Sequence, residues 1–108
     1  NTWNGLCVAA RGEAAFRQEL AALVLAVPLA FLVTAEPWKR FLLIGVVLFV
    51  LVVELLNTAM EKLADRVCRD PDAQIGRVKD IGSAAVGLAL VLAGLTWLMA
   101  IAERLGWL

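Results

Sequence analysis

The 108-residue sequence lacks histidine and tyrosine and contains only two cysteines, Cys7 and Cys68. The absence of histidine excludes imidazole metal ligands, an imidazole general base, and Ser-His-Asp or Cys-His catalysis. The two cysteines are far apart and form no CxxC pattern, so we expect small hydrophobic residues or free thiols rather than a zinc or redox site. Net charge is also absent, since ten basic residues balance ten acidic ones, which excludes a broad basic surface for nucleic acid.

Apolar residues, in contrast, are present in excess. Hydrophobic residues make up 62% of the chain, whereas soluble domains contain about 45–50%. A chain this short has a large surface relative to its volume and cannot bury that many apolar side chains in water. The composition therefore indicates a membrane protein with a single domain over residues 1–108.

Three long runs with almost no charge predict three transmembrane helices. A helix needs about 20 apolar residues to cross a hydrocarbon core of about 30 Å, and its backbone groups pair within the segment. The runs cover residues 20–35, 41–60 and 81–102, and only the second contains a charged residue, Glu54. With their flanks, we expect spans at about residues 17–35, 40–62 and 79–103, and a short amphipathic surface helix at about residues 1–12. The predicted fold class is an all-α membrane protein.

The distribution of positive charge predicts the orientation in the membrane. Three spans place the N-terminus and the second connection on one side, which holds seven Lys and Arg residues against three on the other side. The positive-inside rule then places the N-terminus and the second connection in the cytoplasm. Acidic Glu13 and Glu19 precede the first apolar run and a basic n-region is missing, so we expect no cleaved signal peptide.

Glu54 is the most informative residue, because a carboxylate within a span costs about 2.5–3.5 kcal/mol and usually faces the bundle interior. Asn57, Glu61 and Asp65 follow at offsets of 3, 7 and 11 residues, which places the four side chains within about 80° of one another on a helix. We call these four residues the polar stripe. A desolvated Glu54 suits a general base, and Glu61, about 10 Å farther along, suits a hard cation such as Mg²⁺ with phosphate oxygens. The alternative is interhelical hydrogen bonding or pairing with another subunit.

Two further charged clusters are predicted on the cytoplasmic side. Glu13 and Arg17 are four residues apart. This spacing suits a simple ion pair on a helix surface. Lys79 and Asp80 precede the third span. Lys79 could bind a phosphate there, with Asp80 orienting it, or the pair could anchor the helix at the lipid headgroups.

The third span also contains small residues on one face. Ser83, Gly87 and Gly94 share that face, which favours close helix packing, although Ser83 lies one turn from Lys79 and could belong to a site. The sequence contains no GxxxxGK[ST] motif, so a nucleotide site would differ from a P-loop.

Five sequence blocks occur in a characteristic order between about Trp3 and Trp97. They are Glu13-Ala-Ala-Phe-Arg-Gln-Glu19, Val53-Glu-Leu-Leu-Asn-Thr-Ala-Met-Glu61, Asp65-Arg66, Gly76-Arg-Val-Lys-Asp80 and Gly82-Ser-Ala-Ala-Val86. Together they resemble the small bacterial integral-membrane diacylglycerol kinase family. The resemblance implies a homotrimer with three transmembrane helices and one surface helix per subunit. It also implies active sites between neighbouring subunits at the cytoplasmic boundary of the inner membrane, where the γ-phosphate of MgATP is transferred to diacylglycerol to give phosphatidic acid.

The resemblance also implies roles for individual residues. Glu54 resembles the general base, Asn57 supports the base and the lipid hydroxyl, and Glu13 and Glu61 resemble the carboxylates that hold the Mg²⁺ bound to ATP. The nucleotide site further includes Asp65, Asp70, Asp72, Lys79 and Asp80. The lipid end of the site includes Arg17, Gln18, Glu19 and Ser83.

The sequence departs from the family pattern at three places. Asn4 and Cys7 stand where basic residues are common, and Asp70-Pro71-Asp72, which we expect to form a turn, replaces a Glu-Tyr-His-like turn. A sister branch that phosphorylates undecaprenol shares the pattern of Glu54, Asn57 and Glu61, but Gln18-Glu19 and Ser83 favour diacylglycerol. A small oligomeric channel is a non-enzymatic alternative that would use the polar stripe as an ion path.

Overall fold

The computed structural model describes residues 1–68 and 72–108, and within them it contains four α-helices. These are α1 (Thr2–Gly12), α2 (Ala14–Val33), α3 (Pro37–Val67) and α4 (Ala73–Arg104). Three of them, α2, α3 and α4, are long and apolar enough to cross a membrane by length and composition. The prediction of an all-helical protein with three long apolar helices and a short N-terminal helix is therefore confirmed.

Local sequence explains where the long helices begin and end. Helix α2 ends at Val33, two residues before the predicted end of the first span, because Thr34 is extended (φ −146°, ψ 149°). Pro37 occupies the first turn of α3, where the missing N–H has no intrahelical partner in any case. Oδ1 of Asp72 caps α4 by accepting hydrogen bonds from the backbone N–H groups of Gln74 (2.8 Å) and Ile75 (3.1 Å).

Both helices that flank the second connection continue beyond the predicted spans. Helix α3 runs to Val67 rather than residue 62, and α4 already begins at Ala73 rather than residue 79. These additional turns carry charged residues. Those of α3 place Asp65 on a helix, and those of α4 place Lys79 more than one turn inside its helix rather than at its first residue. The limits of the spans in a bilayer remain predictions.

Helix α3 is the central element of the fold. It packs against both α2 and α4, which scarcely meet each other, so the molecule is flat and elongated, at 53 × 29 × 19 Å. One apolar cluster joins Leu51 of α3 to Ala9 and Phe16, and a second joins Val50 of α3 to Ala89 and Ala93 of α4. Many large apolar side chains on α2 and α4 are exposed on the single chain, as expected for surfaces that face lipid or other subunits.

The N-terminal end of α3 is tied to the neighbouring helices by polar contacts. Trp97 Nε1 of α4 donates a 3.0 Å hydrogen bond to the carbonyl oxygen of Leu43. Lys39 pairs with Glu36 and with Glu103 of α4. Arg40 Nε donates to the carbonyl oxygen of Thr34 at 2.9 Å. These contacts fix the end of α3 that lies farthest from the polar stripe.

Candidate functional site

The junction between α1 and α2 brings Glu13 to the polar stripe. Glu13 is extended (φ −120°, ψ 112°) and separates the two helices. Its carboxylate lies 3.7 Å from Lys62 Nζ of α3. Arg17 Nη1 instead donates 3.1 Å hydrogen bonds to the carbonyl oxygens of Ala10 and Arg11, at the end of α1. Glu13 and Arg17 therefore do not form the ion pair that their spacing suits. Glu13 pairs with Lys62 of α3 instead, and Arg17 caps the end of α1.

The polar stripe changes from buried to exposed along α3. Glu54 and Asn57 are each 8% exposed, Glu61 is half-buried and Asp65 is exposed. The negative charges of Glu61 and Glu13 repel a negative charge on Glu54, and the charge of Glu54 repels that of Glu19 of α2. The fold thus concentrates carboxylates from α2, α3 and the α1–α2 junction around Glu54.

Asn57 links the buried and exposed parts of the stripe. Its Nδ2 donates a 3.1 Å hydrogen bond to Oε1 of Glu61. Its Oδ1 is buried and accepts no hydrogen bond from any described residue. This oxygen faces Gly82 of α4, where an added Cβ atom would lie only 2.2 Å away. The amide is therefore held between α4 on one side and a carboxylate on the other.

Lys79 provides the positive charge at the exposed end of the stripe. Its Nζ lies 2.5 Å from Oδ1 of Asp65, and the charge of Glu61 also attracts it. The side chains of Lys79 and Asp65 are 40% and 62% exposed, so the ammonium group can be reached from solvent. A lysine in this position can exchange its carboxylate partner for a phosphate group.

The other predicted site residues differ in their exposure on the single chain. Gln18, Asp80 and Ser83 are exposed on the single chain, while Glu19 is half-buried and its Oε2 has no hydrogen-bond partner among the described residues. Asp72 caps α4, as described above. Asp70 lies outside the described residues, and so does most of the turn predicted at Asp70-Pro71-Asp72.

Sequence reasoning did not assign a role to two residues that contact this site. Lys62 pairs with Glu13 across two elements, and no helical periodicity indicates such a contact. Gly82 accommodates the Asn57 amide. An isolated glycine inside a helical pattern is a signal of close packing, and Gly82 lies three residues after Lys79 on the same helix.

The oxygen donors of this site have the chemistry that Mg²⁺ requires. Across residues 1–68 and 72–108, no group of three or more Asp, Glu, Cys or His side chains is placed to hold a metal ion. Mg²⁺ is often bound by one or two carboxylates together with phosphate oxygens and water. Glu13 and Glu61 carry hard oxygen donors of that kind.

Comparison with known proteins gives the family. The chain matches the prokaryotic diacylglycerol kinase family over residues 1–101. It is 42% identical over 105 residues to a diacylglycerol kinase from Escherichia coli, a match that covers 97% of this chain and 86% of that protein. Diacylglycerol kinases from Pseudomonas aeruginosa and Haemophilus influenzae are 44% and 39% identical over 93 residues, which covers 86% of this chain and 76% and 79% of theirs. The chain therefore belongs to the prokaryotic diacylglycerol kinase family and is a kinase.

Proposed function

We propose that this protein transfers the γ-phosphate of ATP to the free hydroxyl of diacylglycerol and produces phosphatidic acid at the cytoplasmic face of a bacterial inner membrane. The burial gradient of the polar stripe carries this proposal. A lipid hydroxyl reaches the site from the membrane, whereas ATP reaches it from water. The stripe offers a buried carboxylate, Glu54, to the first substrate. Its exposed residue Asp65, together with Lys79 of α4, offers charged groups to the second.

Glu54 acts as the general base in this reaction. The hydroxyl oxygen attacks the γ-phosphorus, its proton moves to the Glu54 carboxylate, and the bond between the γ-phosphorus and the bridging oxygen of ADP breaks. ADP leaves with the electron pair of that bond. Asn57, next to Glu54 on the stripe and hydrogen-bonded to Glu61, orients the base and the lipid hydroxyl. The barrier to phosphoryl transfer falls mainly through such positioning and through charge neutralisation.

The exposed end of the stripe binds the nucleotide. Lys79 exchanges Asp65 for a phosphate group of ATP, while Asp80, Asp70 and Asp72 complete this end of the site. Glu13 and Glu61 would hold the Mg²⁺ that arrives with ATP. When bound, that ion neutralises phosphate charge as it is transferred. The pair between Lys62 and Glu13 keeps the Glu13 carboxylate beside α3 before the nucleotide binds.

The lipid end of the site requires a second copy of the chain. We propose that the lipid is bound by Arg17, Gln18, Glu19 and Ser83. On a single chain Gln18 and Ser83 are exposed, so one chain alone does not enclose the lipid. The open arrangement, in which α2 and α4 flank α3 but scarcely meet, leaves apolar surface for neighbouring copies. We therefore propose a homotrimer with sites shared between subunits, with the N-terminus and the second connection in the cytoplasm.

Purified protein in detergent tests this function with labelled ATP, Mg²⁺ and diacylglycerol. Wild-type protein should produce labelled phosphatidic acid, and Glu54→Gln should abolish turnover because an amide cannot accept the hydroxyl proton. ATP binding should fall only modestly in this variant, since Glu54 lies at the buried end of the stripe. Glu103→Gln, which removes a carboxylate near the opposite end of the molecule, is the matched control and should retain wild-type turnover.

Two results would contradict this proposal. Failure of the wild-type protein to label diacylglycerol would refute the function itself. Turnover by Glu54→Gln near the wild-type rate would leave the function intact and refute the assignment of the general base.

A further inference from the structure

Gly82 lies where α4 meets the Asn57 amide of α3. A Cβ atom built on Gly82 would lie 2.2 Å from Oδ1 and 3.3 Å from Cγ of Asn57, whereas real Cβ atoms essentially never approach a non-bonded atom of another part of the chain closer than 3.0 Å. The next neighbour, Cε of Met60, lies at an ordinary contact distance of 3.7 Å. The clash therefore falls on the Asn57 amide, and only glycine fits at position 82 while that amide keeps its orientation.

The amide cannot simply move aside. Asn57 is 8% exposed, and its Nδ2 donates the 3.1 Å hydrogen bond to Glu61. Oδ1 and Nδ2 belong to one planar group, so a rotation that moves Oδ1 away from Gly82 also moves Nδ2 away from Glu61. A complete flip of the amide would direct its oxygen toward the Glu61 carboxylate, which is repulsive. The contact with Gly82 and the hydrogen bond to Glu61 are thus geometrically linked.

We infer that Gly82 is a positioning residue for phosphoryl transfer, because its missing side chain sets the orientation of the Asn57 amide and, through Nδ2, that of Glu61. This inference rests on the proposed function, in which Asn57 orients the base and Glu61 faces the metal-bound nucleotide. Gly45 of α3 provides a contrast, since a Cβ built there meets no described atom within 4 Å beyond its chain neighbours and the adjacent backbone of its own helix. A methyl group at position 45 therefore displaces nothing within one chain.

The test compares Gly82→Ala with Gly45→Ala in the diacylglycerol kinase assay. Gly82→Ala should lower kcat per folded protein by about tenfold to a hundredfold, the loss expected when a hydrogen bond to a charged group is broken. KM for ATP should rise as well, because Glu61 loses its donor. Gly45→Ala should keep both parameters within about twofold of wild type. A purely structural role for Gly82 would reduce the yield of folded protein but leave kcat per folded protein unchanged.

A double-mutant cycle identifies Asn57 as the group through which Gly82 acts. In the Asn57→Ala background the methyl group at position 82 has room, so adding Gly82→Ala should change kcat by less than about twofold. If turnover in that background falls below detection, affinity for a non-hydrolysable ATP analogue replaces kcat in the same cycle. If Gly82→Ala alone fails to fold, the double variant should fold, because it lacks the clashing amide.

Three results would overturn the inference. They are wild-type kcat in Gly82→Ala, a full additional loss in the Asn57→Ala background, and misfolding of both the single Gly82→Ala variant and the double variant. The failure of the proposed function is distinguishable from these, since it would show as a wild-type protein that does not label diacylglycerol.

Discussion

Replacing Lys79 by alanine separates a role in phosphate binding from a role in holding α3 and α4 together. Lys79 Nζ lies 2.5 Å from Oδ1 of Asp65, and this pair bridges the two helices at the exposed end of the polar stripe. Both roles predict that the loss of Lys79 harms the protein. A role in holding the helices together predicts a loss of stability, whereas a role in phosphate binding predicts a larger loss of turnover.

The exposure of the pair sets the magnitude of the stability effect. The side chains of Lys79 and Asp65 are 40% and 62% exposed, and solvent-exposed ion pairs contribute about 0–1 kcal/mol. Lys79→Ala should therefore lower the free energy of unfolding by no more than about 1 kcal/mol. Removal of a cation that stabilises charge in the transition state costs much more, about 10²–10³-fold in kcat or roughly 2.7–4 kcal/mol.

The assay measures kcat and KM for ATP beside the unfolding transition in the same detergent. Lys39→Ala is the matched control, because Lys39 is similarly exposed, at 33%, and also bridges α3 and α4 through its pair with Glu103. Both variants should lose little stability, but only Lys79→Ala should lose activity, by about 10²-fold or more. Activity of Lys79→Ala within a few-fold of wild type, or an equal loss in Lys39→Ala, would refute a phosphate-binding role.

Substitutions at three further residues test contacts that the structure shows. Trp97→Phe removes the hydrogen bond to the carbonyl oxygen of Leu43. It should lower the free energy of unfolding by about 1 kcal/mol without changing kcat. A change in kcat would mean that this distant contact is coupled to the site. Asp72→Ala should cost about 1 kcal/mol of stability through loss of the α4 cap, whereas Asp72→Asn should keep the cap and raise KM for ATP; an unchanged KM would limit Asp72 to capping. Arg17→Ala removes the two hydrogen bonds at the end of α1 and should accelerate hydrogen exchange in α1 but not in α3; unchanged protection of α1 would contradict the cap.

The three long helices and the polar stripe could be predicted because both depend on local patterns. Charge-free runs of the right length indicate spans whatever their neighbours are. The offsets from Glu54 to Asp65 define one helix face as soon as the segment is helical. The rise in exposure from Glu54 to Asp65 agrees with the prediction of a desolvated Glu54, whereas the catalytic roles of these residues remain proposals.

The partner of Glu13 could not be predicted from its spacing to Arg17. A spacing of four residues produces an ion pair only when both residues lie in one continuous helix. Here the helix is interrupted at Glu13, so Arg17 reaches back to the carbonyl groups at the end of α1 and Glu13 reaches Lys62. Such a contact depends on how the α1–α2 junction packs against α3, which no local pattern describes.

The role of Gly82 could not be predicted either, because it also depends on a contact between two helices. The sequence shows a glycine beside Ser83 in an apolar helix, which indicates close packing but not the atom that approaches it. The structure identifies that atom as Oδ1 of Asn57. The contact between α3 and α4 is therefore needed to connect Gly82 with the orientation of the Asn57 amide.

A competition between lipid substrates tests directly whether this chain phosphorylates diacylglycerol. Purified protein in mixed micelles receives labelled ATP and Mg²⁺ with equal amounts of diacylglycerol and undecaprenol, and both lipid products are separated and counted. The label should enter phosphatidic acid in preference to undecaprenyl phosphate. Label confined to the undecaprenol product, or absent from both lipids, would contradict this prediction.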